Sequence, residues 1–497
     1  YEIVQGDWSS DVCSSDLIRK LVGQTAIYGL PSILGRLLNY LLVPLHTYYF
    51  AQTSDYGVIS ELYAWVAFLI VLLTFGMETA FFRFLQNEGD KDKAYSAAFW
   101  SVVGMNALFY VVLLYFNNDI ATALLFEGHN EYVVLLGTIV MIDAITALPL
   151  ARLRAEEKAL RFASIQMTSI GLNIALNVIA MVFFFSAERP EEGVLFILLA
   201  NLISSLAKPL LLYDSIFKVL FVRDWSLYKR MWRYAIPLVI AGFAGIINET
   251  FDRILLKHLL YDPAVPDSLS YAESQVGIYS ACYKLAMLVT IILQAYRYAA
   301  EPFFFKQMQN QDRNTVYVRI MNVFVAMVCA VFLLVSLNLE IFKHFIQKEA
   351  YWEGLKVVPI LLMANVFLGI YYNQSIWYKL SGKTQYGAYI TIVGALLTIA
   401  INVYYIPQYK YMASAWATLI VYATQMLLSY WLGQRHFPIP YNIKKFALYL
   451  GLSLVLFWIG QQINFSKAII NHFLHNLLVL SFVGFAFVLE KTNLKRQ

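Results

Sequence analysis

Long apolar segments divide almost the whole chain, and they constrain its fold more than any other feature. They lie at about residues 22–46, 57–82, 95–117, 131–151, 160–185, 193–214, 234–258, 276–300, 317–339, 356–378, 385–405, 411–433, 444–462 and 468–489. Each can cross a bilayer as a helix, and hydrophobic residues make up 60% of the 497 residues. Alternation typical of barrel strands is absent, and lipid requires every backbone amide to have an internal partner. We therefore expect an all-α polytopic membrane protein of about 14 transmembrane helices.

The same order of short motifs occurs twice within these segments, at positions 206 to 223 residues apart. The pairs are YGLP at 28–31 with YAIP at 234–237, YGVI at 56–59 with VGIY at 276–279, and ETAFFR at 78–83 with EPFFFK at 301–306. Six spans separate the copies, and because that number is even both halves cross the membrane in the same direction. The repeat predicts two six-helix lobes related by a pseudo-twofold axis along the membrane normal. Such duplicated membrane proteins are typically transporters that hold substrate between the halves.

The repeat also divides the chain into segments. We predict an N-lobe at residues 18–217 (spans 1–6), a basic cytoplasmic linker at 218–233, a C-lobe at 234–434 (spans 7–12), and two additional spans with a cytoplasmic tail at 435–497.

Residues 1–17 are left out of this division. The stretch DWSSDVCSSDL at 7–17 matches the translation of a common sequencing-adapter oligonucleotide, so we expect it to be an artefact. Without Cys13, only Cys282 and Cys329 remain, both inside predicted spans. A disulfide framework and a cysteine metal site are therefore not expected.

Basic residues alternate from loop to loop. One set of alternate loops holds 25 of the 37 Lys and Arg residues. The other set holds Arg189, Lys257, Lys343, Lys348, Lys356, Lys410 and Lys467. Because positively charged loops stay on the cytoplasmic side, the alternation predicts that both termini are cytoplasmic. The net charge of +5 is explained by this orientation, and no nucleic-acid partner is expected.

Ionisable side chains inside a span are costly unless they face a cavity or a partner. Arg36 in span 1 and Lys284 in span 8 lie about two helical turns from a span end and have no acid at helical spacing. They predict a hydrated cavity suited to an anionic ligand such as a diphosphate, which arginine grips bidentately. In span 7, Glu249 and Arg253 are four residues apart and could neutralise each other.

Other charged residues lie closer to span ends. Lys208 and Asp214 are near a cytoplasmic end, where a lysine can snorkel, and Glu61 is near the opposite end, where water reaches it. The chain has no metal-binding histidine pattern and no Gly-rich phosphate loop, so no cofactor and no ATP hydrolysis are expected.

Pro31 and Pro237 occupy the first halves of spans 1 and 7, where they can bend a helix. Gly242 and Gly245 add further pliability to span 7. We expect bending at these positions to move a gate, with tight helix packing through small residues as the alternative.

Several motifs together resemble the Wzx-type oligosaccharide flippases of the MOP superfamily, which are bacterial polysaccharide-biosynthesis exporters related to the lipid II flippase. The motifs are LLVPL at 41–45, DYG at 55–57, Asp252-Arg253, and GIYSACYKL at 277–285. The resemblance covers residues 18 to about 440 well. It implies two lobes in a V shape around a cavity lined by spans 1, 2, 7 and 8. It also implies substrate-binding cations on those helices, at Arg36, Arg253, Lys284 and Arg297.

The resemblance further implies the activity. The cargo would be an undecaprenyl-diphosphate-linked oligosaccharide, flipped from the cytoplasmic to the periplasmic leaflet of the bacterial inner membrane by alternating access, for cell-surface polysaccharides including lipopolysaccharide. Membrane lipids and a polysaccharide polymerase are the expected partners, and a monomer suffices because one chain carries both lobes.

Two other functions stay open at this point. A MATE-type cation or drug antiporter needs an acid in a lobe cavity, and Asp143 in span 4 is the residue best placed to serve, with Glu249 and Asp252 as further coupling or structural acids. A polytopic glycosyltransferase or polymerase generally needs a sizeable periplasmic loop, and the longest polar gap, near residues 261–274, has fewer than twenty residues.

Overall fold

In a computed structural model, the described part of the chain is residues 34–494 apart from 36, 39, 88–90, 218, 220 and 309–311. Across these residues the chain forms helices and no strand, and 13 helices are long and apolar enough to cross a membrane. Their limits agree closely with the predicted spans from the second onward, whereas most of the first span lies outside the described residues. The all-α polytopic fold is confirmed.

The N-terminal half is built from helices that follow the apolar segments. They are α1 (Leu42–Tyr49), α2 (Thr53–Thr74), α3 (Met77–Asn87), α4 (Lys91–Tyr115), α5 (Asn117–Ala123), α6 (Asn130–Ala155), α7 (Ala159–Ile179), α8 (Pro190–Leu211) and α9 (Tyr213–Ile216). A π-helical turn, Ala180–Phe184, extends α7. Within this half, α6 packs against α2, α4 and α8, and α7 packs against α8.

The C-terminal half repeats this arrangement with longer first helices. Its helices are α10 (Trp225–Leu260), α11 (Ser268–Gln307), α12 (Arg313–Leu337), α13 (Leu339–Phe342), α14 (Val358–Gln374), α15 (Ile376–Leu380), α16 (Gln385–Tyr409), α17 (Tyr411–His436), α18 (Ile443–Gln462) and α19 (Ala468–Leu494). The 3₁₀ segments Lys343–Phe345 and Glu349–Val357 precede α14. Helices α16 and α17 pack against each other, α16 also packs against α10, and α17 also packs against α14. Helices α18 and α19 both pack against α12, outside the six-helix arrangement.

The second predicted span is broken in the structure. Between α2 and α3, Phe75 and Gly76 both adopt left-handed backbone conformations, with φ of 48° and 64°. A left-handed conformation is easy for glycine and costly for phenylalanine. The break turns α3 toward the start of α10, where the Phe75 and Trp232 rings lie 4.5 Å apart.

Helix α10 starts within the segment predicted as a linker and continues without interruption through Pro237. Its first turn is capped by Asp224, whose carboxylate accepts hydrogen bonds from the amides of Ser226 (3.0 Å) and Leu227 (3.1 Å). A Cβ at Gly242 would lie 2.9 Å from Val71 of α2, so this glycine permits close packing, whereas Gly245 faces open space. Bending at these positions stays a prediction, and Pro31 lies outside the described residues.

Helices α2 and α11 touch through their backbones near their N-terminal ends. A Cβ at Gly57 would overlap the carbonyl oxygen of Glu273, and one at Gly277 would overlap the carbonyl oxygen of Thr53. Gly57 and Gly277 are equivalent positions of the repeat, 220 residues apart. Thr53 and Glu273, the residues that they meet, are equivalent in the same way. Equivalent residues meet in this reciprocal way only next to a twofold axis. The predicted pseudo-twofold axis therefore passes through this contact, which we term the glycine crossing.

A buried charge cluster holds the lobes together beside the glycine crossing. The Lys257 ammonium of α10 is fully buried, 2.9 Å from Glu61 Oε2 of α2 and 3.3 Å from Glu273 Oε1 of α11. It also donates hydrogen bonds to the carbonyls of Leu124 (3.2 Å) and Leu125 (3.3 Å) in the N-lobe. Sequence spacing suggested that Glu61 faces water, but the structure buries it because its partner comes from another helix.

Further contacts join the lobes at the same end of the molecule. The hydroxyls of Thr53 and Ser274 are hydrogen-bonded to each other. The Tyr351 hydroxyl of the C-lobe donates a hydrogen bond to the Phe50 carbonyl (3.1 Å), and the backbone amide of Gln347 donates one to the Thr47 hydroxyl (3.2 Å). The end at which α2 and α11 begin is therefore sealed by backbone contact, ion pairing and hydrogen bonds.

Replacing Lys257 by methionine leaves two buried carboxylates without a counter-charge, so we expect a loss of about 3 to 5 kcal/mol of stability. Thermal unfolding of the purified protein in detergent measures this loss. The double variant Lys257→Met/Glu61→Gln should recover part of it. The matched control is Lys356→Met, because the Lys356–Glu353 pair is half exposed and 3.7 Å apart. Equal stability of the Lys257→Met and Lys356→Met variants would contradict the role given to the cluster.

Replacing Gly277 by alanine places a methyl group where the Thr53 carbonyl lies, so the lobes should be unable to approach as closely at this end. Cysteines at positions 53 and 274, whose native hydroxyls are in contact, report the approach through disulfide formation. We expect the cross-linking yield to fall severalfold with Gly277→Ala and to stay unchanged with Gly104→Ala, since a Cβ at Gly104 meets no atom within 4 Å. Undiminished cross-linking in Gly277→Ala would count against the glycine crossing as the closure point.

Candidate functional site

A cavity of about 440 Å³ lies between the lobes, beyond the glycine crossing. Its walls come from α1, α2, α6, α7 and α8 of the N-lobe and from α10 and α11 of the C-lobe. The spans expected to line it, 1, 2, 7 and 8, all do so, and α6, α7 and α8 add a wall that the sequence had not indicated. We refer to the α10–α11 side as the cationic wall and to the α7–α8 side as the amide wall.

Arg253 on the cationic wall is held rigidly by its neighbours. Its guanidinium lies 3.3 Å from Asp252 Oδ1, donates a 2.9 Å hydrogen bond to the Glu249 carbonyl, and sits 4.5 Å from the Tyr283 ring centroid. Asp252 is fixed in turn by the Tyr279 hydroxyl, which donates to it at 2.6 Å. The counter-charge of Arg253 is therefore Asp252, and the contact with Glu249 that the spacing suggested is made through the backbone oxygen instead.

Lys284 is a cavity-lining cation that has no partner among the residues that the structure describes. Its side chain lines the space beside Tyr283 and Ser280, and within the described part of the chain it makes no hydrogen bond and no ion pair. The Ser280 hydroxyl is buried, at 1% exposure, and also lacks a partner among the described residues. Glu249, which is exposed to the cavity, contributes a carboxylate with no described cation within ion-pair distance. The cationic wall thus offers an available ammonium next to a fixed guanidinium, with one acid nearby.

On the opposite side, Asp143 of α6 and Lys208 of α8 form an ion pair, with Nζ and Oδ1 2.8 Å apart. The sequence placed Lys208 near a cytoplasmic span end and offered Asp143 as a coupling acid. Their pairing was missed because a contact between residues 65 positions apart, on different helices, leaves no local signal in the sequence. Asp214, near the end of α8, pairs with Arg161 at 2.5 Å. The Arg161 guanidinium holds the pKa of Asp214 below its ordinary value.

The amide wall carries polar residues that sequence reasoning missed. Asn173 and Asn177 of α7 and Asn201 of α8 form a continuous hydrogen-bonded series that begins at His46 of α1 and ends at Tyr63 of α2. The signal was present in the sequence, since Asn173 and Asn177 lie four residues apart and therefore on one face of an apolar helix. Only the fold shows that this face meets α8 and the cavity.

Two other predicted site residues are placed elsewhere. Arg297 lies 5.4 Å from the Tyr372 ring centroid, in a separate small cleft of the C-lobe that also contains Lys379. It is on the predicted helix but does not line the central cavity, and a substrate contact there stays a prediction. Arg36 lies outside the described residues.

The fold and cavity have counterparts among known proteins. A family model described as "polysaccharide biosynthesis protein" matches residues 21–308. A curated relative, "Lsg locus putative protein 1" of Haemophilus influenzae, is 24% identical over 160 residues, which are 32% of this chain. The alignment spans 37% of that relative's length.

Solved structures agree with the described fold. A structure titled "Lipid II flippase MurJ, inward closed conformation" matches with a TM-score of 0.69 and 14% identity, covering 92% of this chain and 98% of that one. An inward-facing multidrug resistance MATE family transporter of the MOP superfamily matches with a TM-score of 0.58 and 15% identity, covering 84% and 93%. Because the family model spans more than half of its residues, this chain belongs to the polysaccharide biosynthesis protein family, and its fold is similar to those of the MurJ and MATE structures.

Proposed function

We propose that the protein is a flippase that moves a lipid-diphosphate-linked oligosaccharide from the cytoplasmic to the periplasmic leaflet by alternating access. The observation that carries the proposal is Lys284, an ammonium with no partner in the described part of the chain, which lines a cavity between two lobes of a polysaccharide biosynthesis protein. A cation without a counter-ion in this setting is costly. Binding an anionic group would offset that cost.

A diphosphate fits the charges of the cationic wall. Lys284 supplies a mobile point charge and Arg253 a planar guanidinium, which are complementary ways of contacting phosphate oxygens. Asp252 holds Arg253 in place, so little conformational freedom is lost when a phosphate arrives. The Ser280 hydroxyl, without a partner among the described residues, is a further donor on the same helix.

Glu249 lies on the same wall as these cations. Its carboxylate repels a diphosphate, so removing its charge should favour substrate binding. In this proposal Asp143 has a structural role, because it is already paired with Lys208.

Alternating access requires that the sealed end open. The basic loops predict that this end faces the periplasm, so the described arrangement would be closed on the periplasmic side. Opening would separate Gly57 from Gly277 and remove Lys257 from its two carboxylates. We place the protein in the bacterial inner membrane with both termini cytoplasmic, where it would act as a monomer and supply a polysaccharide polymerase.

A MATE-type antiporter is the second candidate, favoured by the shared fold and by Glu249 as a cavity acid without a described cation partner. Such a protein would export cations, for which Lys284 is unfavourable. The fold is common to both functions, so transport assays must separate them.

Proteoliposomes containing a lipid-diphosphate oligosaccharide test the proposal. A glycosidase added outside reports how much glycan reaches the outer leaflet. Lys284→Ala should lower the initial rate about tenfold or more, because a charge-assisted contact is lost. Lys284→Arg should retain most of the activity, since it keeps the charge.

Two variants control for this result. Lys356→Ala, remote from the cavity and half exposed, should transport normally. Glu249→Gln should bind the substrate at least as well as wild type, because a negative charge beside the diphosphate is removed. Unchanged flipping in Lys284→Ala would remove the residue from the mechanism. Absence of flipping in wild type, together with proton-driven efflux of a cationic dye, would favour the antiporter.

A further inference from the structure

The hydrogen bonds of the amide wall have a defined direction. Asn177 Oδ1 lies 3.2 Å from His46 Nε2, so it accepts and the imidazole nitrogen carries the hydrogen. The Asn177 amide then donates to Asn173 Oδ1 at 3.1 Å, and the Asn173 amide donates to Asn201 Oδ1 at 2.8 Å. Finally, the Asn201 amide donates to the Tyr63 hydroxyl oxygen at 2.8 Å. Each oxygen in the series accepts from the residue before it.

Tyr63 is the last member of the series, and this position leaves its hydroxyl hydrogen available. Its oxygen already accepts a hydrogen bond, and in the described part of the chain no residue accepts its hydrogen. The side chain is 41% exposed and lines the cavity. The series therefore aims one hydroxyl donor at whatever occupies the cavity, and Asn201 fixes the position of that donor.

The hydrogen of this hydroxyl takes no part in holding the helices together. The contacts of Asn173 with Asn201 and Ser204 join α7 to α8, and the Asn201 amide joins α8 to α2 through the Tyr63 oxygen, which acts there only as an acceptor. The Asn201 amide also donates to the Ile197 carbonyl at 2.8 Å, so it keeps a partner when Tyr63 is removed. The Tyr63 hydroxyl is thus free to serve a ligand.

We propose that the amide wall is the glycan subsite of the cavity and that Tyr63 is its specificity-determining residue, donating a hydrogen bond to a sugar oxygen. This inference rests on the proposed function and divides the cavity between two ligand parts. The diphosphate contacts Lys284 and Arg253 on the cationic wall. The uncharged, hydroxyl-rich sugar contacts the opposite wall, where Asp143 and Lys208 cancel each other.

The chemistry of the two walls supports this division. Sugar hydroxyls are neutral and pair with neutral donors and acceptors. The amide hydrogens of Asn173 and Asn201 are already donated within the wall, so its available groups are the Tyr63 hydroxyl hydrogen and the second lone pairs of the amide oxygens. The aromatic ring of Tyr63 adds a flat apolar surface for the face of a pyranose. Ser205, buried at 4% and lining the same wall, is a further hydroxyl within the subsite.

Two probes separate the glycan subsite from the phosphate site. One is a C20 isoprenyl diphosphate carrying a single N-acetylglucosamine, and the other is the same isoprenyl diphosphate without sugar. Binding of each to the purified full-length protein is measured by isothermal titration calorimetry in detergent. Tyr63→Phe should lower the affinity for the glycosylated probe about five- to tenfold, because one hydrogen bond to the sugar is lost. The affinity for the bare diphosphate should stay unchanged. Asn201→Leu should act in the same direction.

Control variants make each outcome informative. Tyr389→Phe, on the outer surface of α16 and 59% exposed, should alter neither affinity. Lys284→Ala should weaken both probes, because both carry the diphosphate. Equal weakening of both probes by Tyr63→Phe, or no effect on either, would overturn the glycan assignment while leaving the phosphate site intact. If wild type binds neither probe, the result contradicts the proposed function and therefore also the glycan subsite.

Discussion

The backbone contact between α2 and α11 is the constraint on which the rest of the structure depends. At the glycine crossing the two helices approach more closely than any side chain would allow. Residues about two turns further along, such as Tyr63 on α2 and Lys284 on α11, line the cavity. The crossing therefore closes one end of the space that these helices line. The buried Lys257 cluster lies beside the crossing, so moving the lobes apart at this end also requires the separation of paired charges.

Much of this fold was predictable from the sequence because lipid imposes simple rules. Helix limits follow the apolar segments, and the repeated motifs locate the pseudo-twofold axis, including the two glycines that meet on it. The break at Phe75 was not predictable. Phenylalanine followed by glycine is ordinary in an apolar span, and the left-handed turn is stabilised by contacts with α10, such as Trp232, more than 150 residues away.

The site was predictable only where a charge has no partner. Lys284 was identified from the lack of an acid at helical spacing, and the structure places it in the cavity. Spacing along one helix carries no information about neighbouring helices. Glu61 was therefore not matched with Lys257, nor Lys208 with Asp143. The asparagines of α7 are uncharged and were therefore not selected as site residues, although their four-residue interval indicates a polar helix face.

The reciprocal contact at the glycine crossing joins the two halves through the same surface of each. A surface that meets its own copy across a twofold axis has the geometry of a homodimer interface, so the two halves are joined as two subunits of a symmetric dimer would be. The charged groups do not share that symmetry. The repeat counterpart of Glu61 is Ala281, and that of Glu273 is Thr53. A single chain can therefore combine the symmetric joint of a homodimer with a cavity whose two walls differ in chemistry, which two identical subunits could not provide.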